Sequence, residues 1–348
     1  MGRSSFRGSW TGTLHTSRHR TALTSMQKGQ GYAPAIAAGS FPVARRRPSS
    51  FRRSVRRHWQ LYLLVLLPLG FLAVFNYWPL LGAQVAFRNY NPVQGMWRSP
   101  WIGLSEFRQW VHNPEFWPIV KNTLVLSIYS LAVGVPATIV LALALNEVRH
   151  RRFKKFIQTV TYFPYFISLI VLVGIMQIVL TPGAGPLNSI FHALGAHMPN
   201  FFANPGDFAS LYVWSGVWQT TGYGAIIYLG VLSNVDTALY EAAKVDGASI
   251  IQKIRAVDFP TIKPTIVILV LLALGNILGV GFEKVFLMQN PLNLPTSQVI
   301  STYVYQTGIV QDNFSFGTAV GLFNSAIGLV LIVGANFLAR RLTDTSLF

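Results

Sequence analysis

A chain of 348 residues with 51% hydrophobic and only 11% charged residues, and a mean hydropathy of +0.42, is too apolar for a soluble globular protein, where about a quarter of residues carry charge. The lack of cysteine excludes disulfides, thiolate metal sites and a cysteine nucleophile. A net charge of +17 would suggest nucleic acid in a soluble protein, but here the basic residues cluster at the ends of apolar runs long enough to cross hydrocarbon as helices. That distribution reads as membrane topology and argues against nucleic-acid binding.

Residues 1–58 read as a basic, disordered cytoplasmic tail preceding a membrane domain at 59–348. No acidic residue occurs before Glu106, so an organellar transit peptide is the competing reading, and Met26 offers an alternative start. Arg45, Arg46, Arg47, Arg52, Arg53, Arg56 and Arg57 stand immediately before the first apolar run. They fix that end in the cytoplasm and suit anionic lipid.

Six spans are expected, at about 60–82, 119–145, 159–181, 209–232, 264–285 and 316–339. Charge asymmetry orients them with both ends inside. Segment 146–158 carries Arg149, Arg151, Arg152, Lys154 and Lys155, and Arg340 and Arg341 follow the last span. Loops 182–208 and 286–315, on the opposite side, hold no Lys or Arg. Loop 83–118 breaks the pattern in part with Arg88, Arg98 and Arg108, and its Tyr90, Trp97, Trp101, Trp110 and Trp117 read first as an interfacial aromatic belt.

Between the fourth and fifth spans, 234–262 is too polar for lipid and carries its own helix punctuation. Asn234 or Asp236 is placed to cap a short helix that Gly247 ends in a left-handed turn, and Ser249 with Gln252 forms a capping box for a second helix. Ile250, Ile254 and Val257 share one face of it, and Pro260 is expected to close the hairpin. From these signals alone, a basic helix resting on headgroups is the plainer alternative.

The spacing within this hairpin, Glu241-Ala242-Ala243, then Gly247, Val257 and Phe259-Pro260, resembles the EAA loop of ABC-importer permeases, with Val257 and Phe259 where Ile and Leu are usual. Stretches 59–80, 161–180 and 301–348 resemble the oligosaccharide and polysaccharide branch of the same family. The resemblance implies an all-α, polytopic fold of six transmembrane helices, the type I importer architecture, in a bacterial inner membrane. It implies that Glu241, Ala242, Ala243, Gly247, Val257, Phe259 and Pro260 form a coupling helix seated in a groove on a separate ATPase. The implied partners are a second homologous permease, two ATPase subunits that bind ATP and Mg, an extracytoplasmic solute-binding protein, membrane lipid and an oligo- or polysaccharide. This chain itself would carry no cofactor and no metal.

The sequence holds no G-x-x-x-x-G-K-[ST] phosphate loop, no His pair at metal-ligand spacing on a helix and no paired carboxylates placed for acid–base work. A transport subunit driven by a partner is therefore expected, rather than an enzyme. An ATP-independent secondary carrier or channel is the alternative, disfavoured because no charge is expected at midplane. Glu283, beside Lys284, is the charge noted inside an apolar run, either functional or snorkelling to the interface. Trp214, Trp218 and Thr221 recur on one face of the fourth span, with Gln219 and Tyr223 on a neighbouring stripe. Trp218, Gln219, Tyr223, Asn276 and Glu283 are the expected substrate pathway, since rings stack on sugar faces and amides bond hydroxyls. Their alternative role is to fill helix–helix interfaces. Arg88, Arg98 and Arg108 near the entrance would attract an acidic glycan.

Overall fold

The computed structural model describes residues 58–183, 185–275 and 277–342, and among these it is helical with no strand. The chain divides into two units, residues 1–65 and 66–348. The described part of the first unit is the opening turn of a helix, where the His58 carbonyl accepts from the Leu61 and Tyr62 amides. The expected tail at 1–57 lies outside the described residues.

The first apolar helix, α1 (Trp59–Phe87), begins as α, passes through a π turn at Ala73–Tyr77 and ends as a 3-10 segment at Trp78–Phe87. Residues 66–81 of it are exposed on every face. After a short outer helix α2 (Ser105–Val111), the long α3 (Phe116–Glu147) runs against α7 (Phe208–Leu232), and this pair is the spine of the second unit. Between them lie α4 (Arg151–Phe166), α5 (Leu169–Leu180) and α6 (Pro186–Ala193). The short α8 (Thr237–Val245) leads to α9 (Ile250–Gly275), α10 (Phe282–Met288), α11 (Ile300–Val304) and the last long helix, α12 (Phe314–Leu342).

Among the described residues four helices are long and apolar enough to cross a membrane: α1, α3, α9 and residues Phe314–Phe337 of α12. The bent pair α4–α5 makes a fifth if it is one span. At 25 residues α7 has the length to cross, but its Ser, Gln, Thr and Gly content leaves it outside that apolar group.

Three expectations from the sequence are corrected. The apolar run 159–181 is not one rod: α4 and α5 meet at 98°. Pro164 supplies no amide to continue α4, and the Ser168 hydroxyl caps a new helix by accepting from Val171 N at 3.4 Å. The run 264–285 is not one helix either, since α9 stops at Gly275 and α10 starts at Phe282. Nor does Pro260 close the hairpin. The helix from Ile250 runs through a π turn at Ile254–Asp258 and on to Gly275, and that wider turn absorbs the amide and space that Pro260 removes.

Three apolar clusters hold the second unit. Trp110 centres the first, its ring 5.0 Å from Phe116 and 5.2 Å from Tyr303, packed beside Phe316 and Val320. Phe208, Val285 and Met288 anchor the second, and Ala142, Ala225, Tyr228 and Ile262 lock α3, α7 and α9 in the third. Where α7 crosses α4 the backbones nearly touch, because a Cβ on Gly222 would lie 1.9 Å from the Thr161 carbonyl oxygen.

Gly222→Val should therefore cost about 3 kcal/mol or more, because the atom in the way is backbone and cannot rotate aside. The matched control Gly230→Ala, on the same helix with nothing within 4 Å of its Cβ, should be neutral or slightly stabilising. Thermal unfolding of the detergent-solubilised protein checks both. Equal melting temperatures for the two variants would contradict the close approach.

Candidate functional site: a capped hairpin and an aromatic track at a helix break

The hairpin forms from local chemistry. Asp236 caps α8 by accepting from Ala238 N at 2.9 Å. At the other end Ala248 N donates to Ala243 O at 2.9 Å and Gly247 N to Lys244 O at 3.2 Å, a Schellman turn. That turn needs Gly247 at φ +69°, where a side chain is strained. The Ser249–Gln252 capping box is complete: Ser249 N reaches Gln252 Oε1 at 2.7 Å, and Gln252 N reaches Ser249 Oγ at 3.4 Å. Two caps back to back leave the turn little freedom.

Of the seven expected coupling residues, Glu241, Ala242, Gly247, Phe259 and Pro260 are exposed and Ala243 is half-buried. Val257 instead faces inward, 9% exposed, and helps pack the hairpin. The hairpin's outer surface carries further apolar side chains, Val245 at 87% and Ile251 at 69% exposure, left uncovered by the described residues.

Beneath the hairpin lies a polar knot. The Tyr240 hydroxyl donates to Asp258 Oδ1 at 2.6 Å, and Lys253 Nζ pairs with Glu147 Oε1 at 2.5 Å while its ammonium sits 5.0 Å from the Tyr240 ring. Burial, and then the bond to Asp258, push the Tyr240 phenol up to about 12, so it stays protonated and donating.

The second feature is the break between α4 and α5. It lies level with the middle of α7, since Gln219 Nε2 donates to the Ile167 carbonyl in the break at 2.9 Å. Gln219 is 7% exposed, so its amide braces the break rather than facing an open path. Tyr223 stacks on Tyr165 from the break, with centroids 3.8 Å apart and planes 5° apart. Trp218 and Trp214, one turn apart on another face of α7, are 55% and 56% exposed. The Trp214 indole donates to the Tyr129 hydroxyl of α3 at 3.1 Å. Tyr129 in turn lines a cleft of about 880 Å3 with Trp117, Lys121, Asn122 and Thr296. Aromatic rings thus stand at the break and, on another face of α7, beside the cleft.

Asn276 lies outside the described residues. The flanking break between α9 and α10 borders a cavity of about 350 Å3 that Ser127, Ser130, Tyr212, Gly279 and Gly281 line. Glu283 is exposed in the first turn of α10, while Lys284 beside it is buried and donates to Tyr212 O at 2.8 Å. Arg88 is not free to attract a glycan: its Nη1 donates to Ser99 O at 2.9 Å and Trp97 O at 3.2 Å, and it lies 5.6 Å from the Trp101 ring. Arg98 and Arg108 remain exposed.

Sequence reasoning misses Tyr165 and Lys121. Phe163-Pro164-Tyr165-Phe166, ahead of the capping Ser168, carries the signal of a break inside an apolar run. Lys121 is a charge inside the expected span 119–145.

Comparison with known proteins gives this geometry its context. Residues 134–344 match the family described as "Binding-protein-dependent transport system inner membrane component". The chain is 38% identical to the polygalacturonan/rhamnogalacturonan transport system permease protein YteP of Bacillus subtilis, over 93% of this chain and 100% of that protein. It is 37% identical to protein LplB of the same organism, over 91% and 97%. Its fold superposes with TM-score 0.79 and 35% identity on a chain of a bacterial alginate ABC transporter, solved with an alginate pentasaccharide-bound periplasmic protein, covering 85% of this chain and 99% of that one. With capped hairpin, apolar helices and family match in agreement, the chain belongs to the inner-membrane permease components of binding-protein-dependent transport systems.

Proposed function

We propose that this chain is one of two membrane subunits of an ATP-driven importer of oligosaccharides or polysaccharide fragments, acidic ones in particular. The second subunit is a homologous permease; two separate ATPase subunits bind ATP and Mg, and a solute-binding protein delivers the glycan from outside. Six spans cross a bacterial inner membrane with both termini in the cytoplasm, α4–α5 and α7 counting as the third and fourth.

The observation that carries this reading is the continuity of α9. The second limb of the capped hairpin, starting at Ile250, is the first part of the same 26-residue helix that continues as the fifth span, and the Gly247 turn ties the exposed Glu241 and Ala242 of α8 to it. A push on the hairpin therefore moves a span directly. ATP shifts such a pore only through its different affinity for two states, so closure of the ATPases presents the site outward and hydrolysis resets it inward. Trp218 and Tyr223, with Trp214 and Tyr165, offer stacking faces to sugar rings. The acidic preference draws support from the polygalacturonan and alginate named for similar proteins and from the exposed cations Lys121, Arg98 and Arg108.

In the importer reconstituted with its partners, Glu241→Ala and Gly247→Pro should assemble yet lose glycan-stimulated ATP hydrolysis and transport together, because proline cannot adopt the +69° φ of that turn. Unchanged stimulation and transport in both would sink the hairpin's coupling role. Trp218→Ala and Tyr165→Ala should each weaken glycan transport by about fivefold, equivalent to about 1 kcal/mol per lost ring contact, with assembly intact. A panel of uronate-containing and neutral oligosaccharides of equal length, scored by stimulated ATP hydrolysis, tests the acidic preference. Stronger stimulation by the neutral set would overturn it.

A further inference from the structure

The polar knot beneath the hairpin joins three elements that otherwise meet through apolar contacts. Tyr240 comes from α8, Lys253 and Asp258 from the start of α9, and Asn146 and Glu147 from the last turn of α3. Asp258 has 0% exposure and takes Oδ1 contacts from the Tyr240 hydroxyl at 2.6 Å and Asn146 Nδ2 at 3.4 Å. Asn146 Nδ2 also lies 3.5 Å from the Tyr240 hydroxyl, and the Lys253–Glu147 pair closes the other side.

Two features set this apart from ordinary packing. A carboxylate at a site closed to water is retained only where its partners are directional, and partners of that kind engage and release together rather than sliding. Moreover, Asp258 Oδ2 is buried with no donor from another residue among the described residues, and the Asp258 carboxyl interacts with the like-charged Glu147 carboxylate. A native orphan acceptor of this kind calls for an explanation, and a joint that exchanges partners between two arrangements supplies one. The position fits: the knot touches both limbs of the hairpin and the end of the helix that carries Tyr129 and lines the outer cleft.

Building on the proposed coupling role of the hairpin, we infer that Asn146, Glu147, Tyr240, Lys253 and Asp258 form a latch that transmits hairpin movement into α3, so that α3 and α9 move as one when the ATPases close. Tyr240 and Asp258 are positioning residues and touch neither nucleotide nor glycan. Breaking the latch leaves ATP hydrolysis running while the pore follows it poorly.

The test is glycan transported per ATP hydrolysed, measured in proteoliposomes holding the full importer with binding protein. Tyr240→Phe, Asp258→Leu and the double variant should keep stimulated ATP hydrolysis within about twofold while transport per ATP falls by about tenfold. The double variant should lose no more than either single, as expected for two halves of one joint. Glu147→Lys and Lys253→Glu should each lower the ratio, and their combination should restore it. That exchange decides the matter should the Asp258 variant fail to assemble, since both its side chains are partly exposed. A wild-type ratio in every assembled variant, or no rescue by the exchange, overturns the latch. Should Glu241→Ala and Gly247→Pro prove fully coupled while the latch variants do not, the ATPase contact at the hairpin has failed and the joint itself stands.

Discussion

In hydrocarbon every backbone amide and carbonyl must find its partner inside the protein, and this constraint organises the second unit of the chain. Long helices meet it by themselves. The break between α4 and α5 does not, and its exposed Ile167 carbonyl is met by one side chain, the Gln219 amide of α7. Gly222, one turn further along, lets the α4 backbone come close enough for that bond to form. Irregular backbone at this depth is tolerated where protein buries it or a cavity borders it, and the stacked Tyr165 and Tyr223 mark the open side. Brace, close approach and stacked tyrosines are thus one solution to a single problem.

The hairpin obeys the opposite solvent. It is polar and capped at both helices, and its second limb is helically continuous with α9. Val257 and Asp258, buried at the junction, separate the hairpin's exposed outer surface from the base that meets α3.

How legible each part is in the sequence follows from the range of the interactions that make it. The hairpin reads directly because Asp236, Ser249, Gln252 and Gly247 act on amides within five residues of themselves. The break at 167 is half legible. Pro164 and Ser168 are both local signals, but the apolar length around them argues for a single span, and length is the cruder signal. The brace is not legible, since Gln219 on a helical wheel looks like any pore-facing amide until Ile167 is brought against it from 52 positions away. Arg88 misleads for the same reason. Its loop folds back to offer it the carbonyls of Trp97 and Ser99, so a cation that looks free is already spent.

The π turn at Ile254–Asp258 has a geometrical consequence of its own. It accommodates one residue more than an α turn, and each residue of an α-helix turns it by roughly 100°. Side chains of α9 on the membrane side of Asp258 are therefore rotated about the axis by about that amount relative to a wheel drawn from Ile250. The distance in sequence between the glutamate–alanine limb and Pro260 sets an azimuth as well as a length: it determines which face of α9 looks toward α3 and α7. A single deletion there would leave every capping residue in place and aim the span in a different direction.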